Sequence, residues 1–235
     1  MGILPIASLL WLTSASAYSI KLNEAGDELR WAEMDLGFYV NPANNQGFSE
    51  AEVVEAAKAA ASQWSAVDGS HLRVNYLGQT DADQVDYADS RNLVYFEQDW
   101  PEEWDDSYLA LTFTWSVEGG TLIAFDLAIN EDLYDWSNSG GPRSNDLRNT
   151  ITHEIGHAIG IGHSEIDDAT MYFQSSPGDT DKRDLALDDQ EATRYLYGTL
   201  LAQQFACTTG GSAPAGALAL LLTGVFVLRR RQGVR

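Results

Sequence analysis

The stretch that decides the fold is His153-Glu154-Ile155-Gly156-His157-Ala158-Ile159-Gly160-Ile161-Gly162-His163, which holds three of the four histidines in 235 residues. His153 and His157 are four apart, so on a helix both imidazoles leave one face a turn apart and can reach the same ion. Glu154 is rotated by about 100° around the axis, which sets its carboxylate beside that ion rather than on it. Gly160 can take the left-handed conformation that ends a helix, and His163 then returns three residues later as a third ligand. Three neutral imidazoles leave a fourth zinc position for water, as in catalytic rather than structural sites. There the pKa of water falls toward about 7, and Glu154 can take its proton and pass it to a leaving amine. A helix that merely packs its histidines is the competing reading. Gly156 and Gly160 speak against it, because each would cost such a helix about 1 kcal/mol relative to alanine.

Downstream, Ala169-Thr170-Met171-Tyr172 follows His163-Ser164. Together with the extended histidine motif it resembles the metzincin metallopeptidases and, within them, the matrixin branch. Trp31 before a strand at 36–41, a helix ending in Gln63-Trp64-Ser65, and the closing stretch from Leu187-Asp188-Asp189 to Tyr195-Leu196-Tyr197-Gly198 are similar to that branch as well. The resemblance thus covers roughly residues 30–198. It implies a zincin-like α/β fold: a twisted five-stranded mixed, mostly parallel sheet, three main helices, and an active-site cleft along an antiparallel edge strand. It also implies that Met171 forms an apolar floor in a tight turn under the zinc, and that the substrate is a protein or peptide. Phe173 stands where the family usually has proline, which alters the pocket beside the scissile bond and not the metal chemistry. Animal matrixins hold a second, structural zinc with several histidines upstream of the catalytic helix. Only His71 lies there, so a single zinc is expected. The sole cysteine, Cys207, follows the domain, so latency through an N-terminal cysteine is not expected.

Charge narrows the partners. The formal net charge is -21, yet the first 17 residues carry no charged side chain and the last 29 carry only arginines, so the middle holds 35 acids against 10 bases. Nucleic-acid binding is disfavoured by such a surface. It suits calcium, a salty medium or basic peptides, and equally a solvated acidic face that confers solubility. The clusters Asp81, Asp83, Asp86 and Asp179, Asp181, Asp184 are the calcium candidates; neither has EF-hand spacing, so solvated loops are the better reading.

The two ends read as targeting segments. Residues 3–12 are largely apolar and run into Ser14-Ala15-Ser16-Ala17, which resembles a secretory signal cleaved after Ala17, with a buried N-terminal strand as the alternative. Residues 213–228 form an apolar run closed by Arg229-Arg230-Arg231. Its 16 residues would span about 24 Å as a helix, short of a bilayer core of about 30 Å but workable with snorkelling arginines. Those arginines would stay cytoplasmic and leave the rest outside. With Cys207 and Gly210-Gly211 ahead of it, the tail resembles bacterial tripartite sorting signals. The expected organisation is a signal at 1–17, a matrixin-like catalytic domain at 18–198, a linker at 199–212 with Cys207, and a sorting or anchor tail at 213–235. The chain is expected to be exported, attached to the cell envelope or released after tail processing.

Within the domain, Ser49 and Glu52 form a capping box for a helix to about Ser65, with Val53, Ala57, Ala60 and Trp64 inward. Period-two alternation marks strands through Leu72, Val74 and Tyr76; Leu93 and Tyr95; Leu109, Leu111, Phe113 and Trp115; and Ile123, Phe125, Leu127 and Ile129, with Gly119-Gly120 as a turn. The zinc helix should start near Asp146, and Asp188 with Glu191 should cap a last helix ended by Gly198. An extended peptide would add to the strand at 109–115 through main-chain hydrogen bonds. These features point to a zinc endopeptidase with His153, His157 and His163 as ligands and Glu154 as acid and base. A surface adhesion module on the same fold is the alternative from another class.

Overall fold

The computed structural model describes residues 17–89, 91–198 and, as backbone alone, 221–222 and 226–230. Apart from Ala17, the expected signal at 1–17 lies outside the described residues, as does the linker at 199–212 with Cys207. In chain order the elements are β1 (Arg30–Trp31), β2 (Asp35–Val40), α1 (Glu50–Ser65), β3 (Arg73–Gln79), β4 (Leu93–Glu97), β5 (Tyr108–Ser116) and β6 (Thr121–Asn130). Then come β7 (Trp136–Ser137), β8 (Asn145–Asp146), α2 (Leu147–Ala158), β9 (Gln174–Ser175), α3 (Leu187–Tyr197), β10 (Leu221–Leu222) and β11 (Phe226–Arg230).

The heart of the molecule is the sheet β3-β2-β4-β6-β5, in which the first four strands are parallel and β5 runs antiparallel to β6. Three helices accompany it, so the expected mixed α/β class holds. One difference lies at the edge. The backbone of β10 and β11 pairs antiparallel with the outer side of β5, and β9 runs parallel to β11 beyond it. Among the described residues no helix is long and apolar enough to cross a membrane.

Local chemistry explains the helices. Ser49 Oγ accepts from Glu52 N at 3.3 Å while Glu52 Oε2 accepts from Ser49 N at 2.8 Å, the reciprocal cap expected from the sequence. The buried face of α1 is rich in alanine, which lets it approach α2 closely, and Trp64 closes the contact by donating its indole N–H to Thr152 O at 2.9 Å. Truncating so large a buried side chain costs about 3–5 kcal/mol. Asp146 caps α2 by accepting from Asn149 N at 2.9 Å, where the zinc helix was expected to begin.

Two expectations need correction. The carboxylate that reaches back over the first turn of α3 is Asp189, accepting from Ala186 N at 2.9 Å, and not Asp188 or Glu191. Asp188 instead accepts from Tyr18 N at 3.1 Å and from the Ser164 hydroxyl at 2.7 Å, tying the N-terminal segment to the loop after His163. Ile123 is exposed rather than inward. The β5–β6 register slips between Trp115 and Ser116, which pair with Ala124 and Leu122, so Ile123 is the extra residue of a bulge.

Strand β5 is buried on both faces. Leu111, Phe113 and Trp115 enter an apolar cluster with Leu93, Tyr95 and Trp100. Thr112, Thr114 and Ser116 alternate with them and are buried as well, on the side of α2.

Candidate metal centre

Helix α2 is buried along almost its whole length and carries His153, Glu154 and His157 into the interior. It ends in a Schellman motif. Gly160, at φ +92°, donates its N–H to His157 O at 3.1 Å, and Ile161 donates to Gly156 O at 2.9 Å. A Cβ on Gly160 would collide with the Leu29 carbonyl, so both the backbone angle and the close approach require glycine. The reversed chain then brings His163 opposite the helix. The ring centroids of the three histidines lie 4.8–5.4 Å apart.

Each helical imidazole is oriented through its second nitrogen. His153 Nδ1 lies 2.6 Å from Thr170 O, and His157 Nδ1 lies 2.8 Å from Ile161 O. A carbonyl only accepts, so Nδ1 carries the proton and the lone pair is left on Nε2. His153 and His157 are also pushed well below the usual histidine range, foremost by burial and then by neighbouring cationic groups. Neutral imidazole is the ligating form. The three histidines each offer a nitrogen, and these lie within 4.8 Å of one another, a donor set that fits one zinc ion.

Met171 is fully buried under the cluster. A Cβ on Gly156 would strike its sulfur and the Trp64 ring, which accounts for a glycine in mid-helix. Asp189 fixes the turn above α3 by accepting from Thr170 N at 2.8 Å and Met171 N at 3.0 Å. Beside the centre, the Phe173 ring stands 6.1 Å from that of His163, and a cavity of about 690 Å³ opens against His163, Tyr172, Phe173 and Tyr18.

All four expected site residues meet here: His153, His157, His163 and Glu154. His71 does not; it lies at the far end of α3, where its backbone N–H donates to Tyr197 O at 3.0 Å. The calcium candidates do not converge on a site either. Among the described residues the histidine triplet is the group able to hold a metal, while Asp179 and Asp184 are engaged with Ser175 and Asp181 N and with Gln63 and Arg148. Sequence reasoning missed Thr112, whose hydroxyl contacts Glu154, and Lys21, whose ammonium donates to Thr114 at 2.9 Å. The signal for Thr112 was its place on β5 between the apolar residues Leu111 and Phe113, and nothing in the spacing pointed to Lys21.

Three convergent histidines with a glutamate on the same helix, set over a methionine turn beside an antiparallel strand, define a zinc metallopeptidase class of site. The chain belongs to the matrixin family: residues 30–198 match its description, Peptidase M10, matrixin. Among its relatives, metalloendoproteinase 5-MMP of Arabidopsis thaliana is 49% identical over 53 residues, 23% of this chain and 14% of that one. Human matrilysin is 35% identical over 79 residues, 34% of this chain and 29% of its own length. Human neutrophil collagenase is 27% identical over 189 residues, 79% of this chain and 36% of its own. The chain therefore spans well under half the length of these relatives.

Proposed function

We propose that this chain is an exported zinc-dependent endopeptidase that hydrolyses peptide bonds in proteins, with residues 18–198 as its catalytic unit. The observation that carries the reading is the convergence of His153, His157 and His163 within 4.8 Å, with Glu154 buried on the same helix. A bound zinc ion would supply Lewis acidity to a water and to the substrate carbonyl. Glu154 accepts a proton as the water oxygen attacks the carbonyl carbon, and returns it to the amine nitrogen as the C–N bond breaks. An extended substrate would add along β5 in place of β11, whose pairing there supports the capacity of that edge to take an antiparallel strand. The signal at 1–17 and the tail at 213–235, with Cys207 before it, would deliver the enzyme outside the cell and hold it at the envelope.

The test compares the full chain with its Glu154→Ala variant on casein and a peptide library. The expected result is cleavage by the first and a loss of about 10²-fold or more in the second, the scale of a general acid-base contribution. Equal cleavage by both would overturn the role of Glu154, and no cleavage by either with zinc bound would favour an adhesion module.

A further inference from the structure

Strand β5 puts a hydroxyl where an apolar side chain would be expected. Thr112, Thr114 and Ser116 are no more than 2% exposed, on a strand face packed toward α2. A buried hydroxyl is costly unless it is hydrogen-bonded; Thr112 and Thr114 each have a partner, while the Ser116 hydroxyl has none among the described residues. For Thr112 the partner is Glu154: its Oγ1 lies 2.6 Å from Glu154 Oε2 and 3.2 Å from the Glu154 carbonyl oxygen. A hydroxyl has one proton to give. The shorter contact directs that proton at the carboxylate oxygen, with the Thr112 hydroxyl as donor.

We propose that Thr112 is the positioning residue of Glu154, a role that rests on the zinc-peptidase reading above. A glutamate side chain has three rotatable torsions, whereas threonine is branched at Cβ and stiff at χ1. The backbone beneath Thr112 is pinned by an unbroken register: Leu111 pairs with Ala128, Thr112 with Leu127 and Phe113 with Asp126. The sheet therefore transmits its rigidity through one hydroxyl to the Glu154 carboxylate. In the proposed function a peptide would pair with this same strand in the place that β11 takes here, so substrate and base would be referenced to one rigid element. Two residues along, Lys21 Nζ donates to Thr114 Oγ1 at 2.9 Å and to His157 O at 3.4 Å, so the polar face of β5 also grips the end of α2. Losing the Thr112 contact would let the carboxylate swing without touching a metal ligand.

The experiment uses the full chain and its Thr112→Val and Thr112→Ser variants. It reads kcat and KM on one peptide, zinc bound per chain, and the place of the Glu154 carboxylate in crystals of the metal-free proteins. In Thr112→Val, kcat should fall about 10- to 100-fold, the scale of a misplacement near 1 Å, with KM and zinc content close to those of the parent and the Glu154 carboxylate displaced. Thr112→Ser should restore kcat to within about 3-fold, since it keeps the proton in the same place. If the valine variant does not fold, Thr112→Ala is read in its place. Parental kcat without the hydroxyl, an unmoved Glu154, or a serine variant as impaired as the valine one would each overturn the proposal. Should the parent cleave no peptide, the peptidase reading fails, while the metal-free crystals still decide whether Thr112 sets Glu154.

Discussion

Asp189 holds the backbone of Met171. One carboxylate oxygen accepts from Met171 N at 3.0 Å and the other from Thr170 N at 2.8 Å, so an acid on α3 fixes the turn beneath the histidines. Thr170 in turn presents the carbonyl that orients His153. This chain of contacts carries a mutation on α3 into the metal centre. Asp189→Ala would leave two buried backbone N–H groups and one part-buried one without this acceptor and should cost about 3 kcal/mol or more, while Asp189→Asn keeps one acceptor and should cost less. Urea unfolding and the rate of zinc loss to a chelator measure both effects. An alanine variant that is as stable as the parent and holds zinc equally long would contradict this role.

The two glycines of the zinc helix should respond differently to alanine. Gly156→Ala drives a methyl into the Met171 sulfur and the Trp64 ring, both side chains, so the protein should fold with lower stability and a displaced methionine turn. Gly160→Ala meets the rigid Leu29 carbonyl at a positive φ and should be the more damaging, by about 1 kcal/mol or more. Denaturant midpoints of the two variants rank them, and the reverse order would show that the Schellman turn is more pliable than its contacts imply.

A pH dependence follows from Asp126 on β6. It is buried and pushed up to about 7, chiefly because burial disfavours its charge and further because Asp89 and Asp86 stand near, against the backbone N–H groups of Asp86 and Leu93. The folded state keeps this proton where the unfolded chain, titrating near 3.9, has released it. Stability from this group is full below about pH 4 and is lost as pH rises toward about 7, by up to about 1.4 kcal/mol per pH unit. In metal-free protein, Asp126→Asn should flatten the fall in stability between pH 5 and 7 measured with urea, and an unchanged slope would rule Asp126 out as its source.

The legible parts of this molecule are those written locally. His153, His157 and Gly160 declare a helix and its end through spacing alone, and Ser49 with Glu52 declares another helix start. Contacts between distant segments stayed hidden. Alternation through Leu109, Leu111, Phe113 and Trp115 marks one face of β5 and cannot reveal that the other, with Thr112 and Thr114, is covered as well. Ile123 followed the alternating pattern until a bulge, set by the partner strand, turned it outward. Asp188 and Asp189 are neighbours in sequence, and only the packing of α3 against the methionine turn assigns one to the cap and the other to Tyr18 and Ser164. The apolar composition of 213–228 suggested a span, while the described backbone of 221–222 and 226–230 is paired as strands.

The central claim is that three histidines form one zinc centre in which Glu154 serves chemistry and not binding. A zinc titration of the full chain, followed by native mass spectrometry and repeated with Glu154→Ala and His163→Ala, tests it most directly. The account predicts one zinc per chain in the parent and in Glu154→Ala, and at least about a tenfold weaker affinity in His163→Ala. A parent that binds no zinc, or a His163→Ala variant that binds as tightly as the parent, would contradict it.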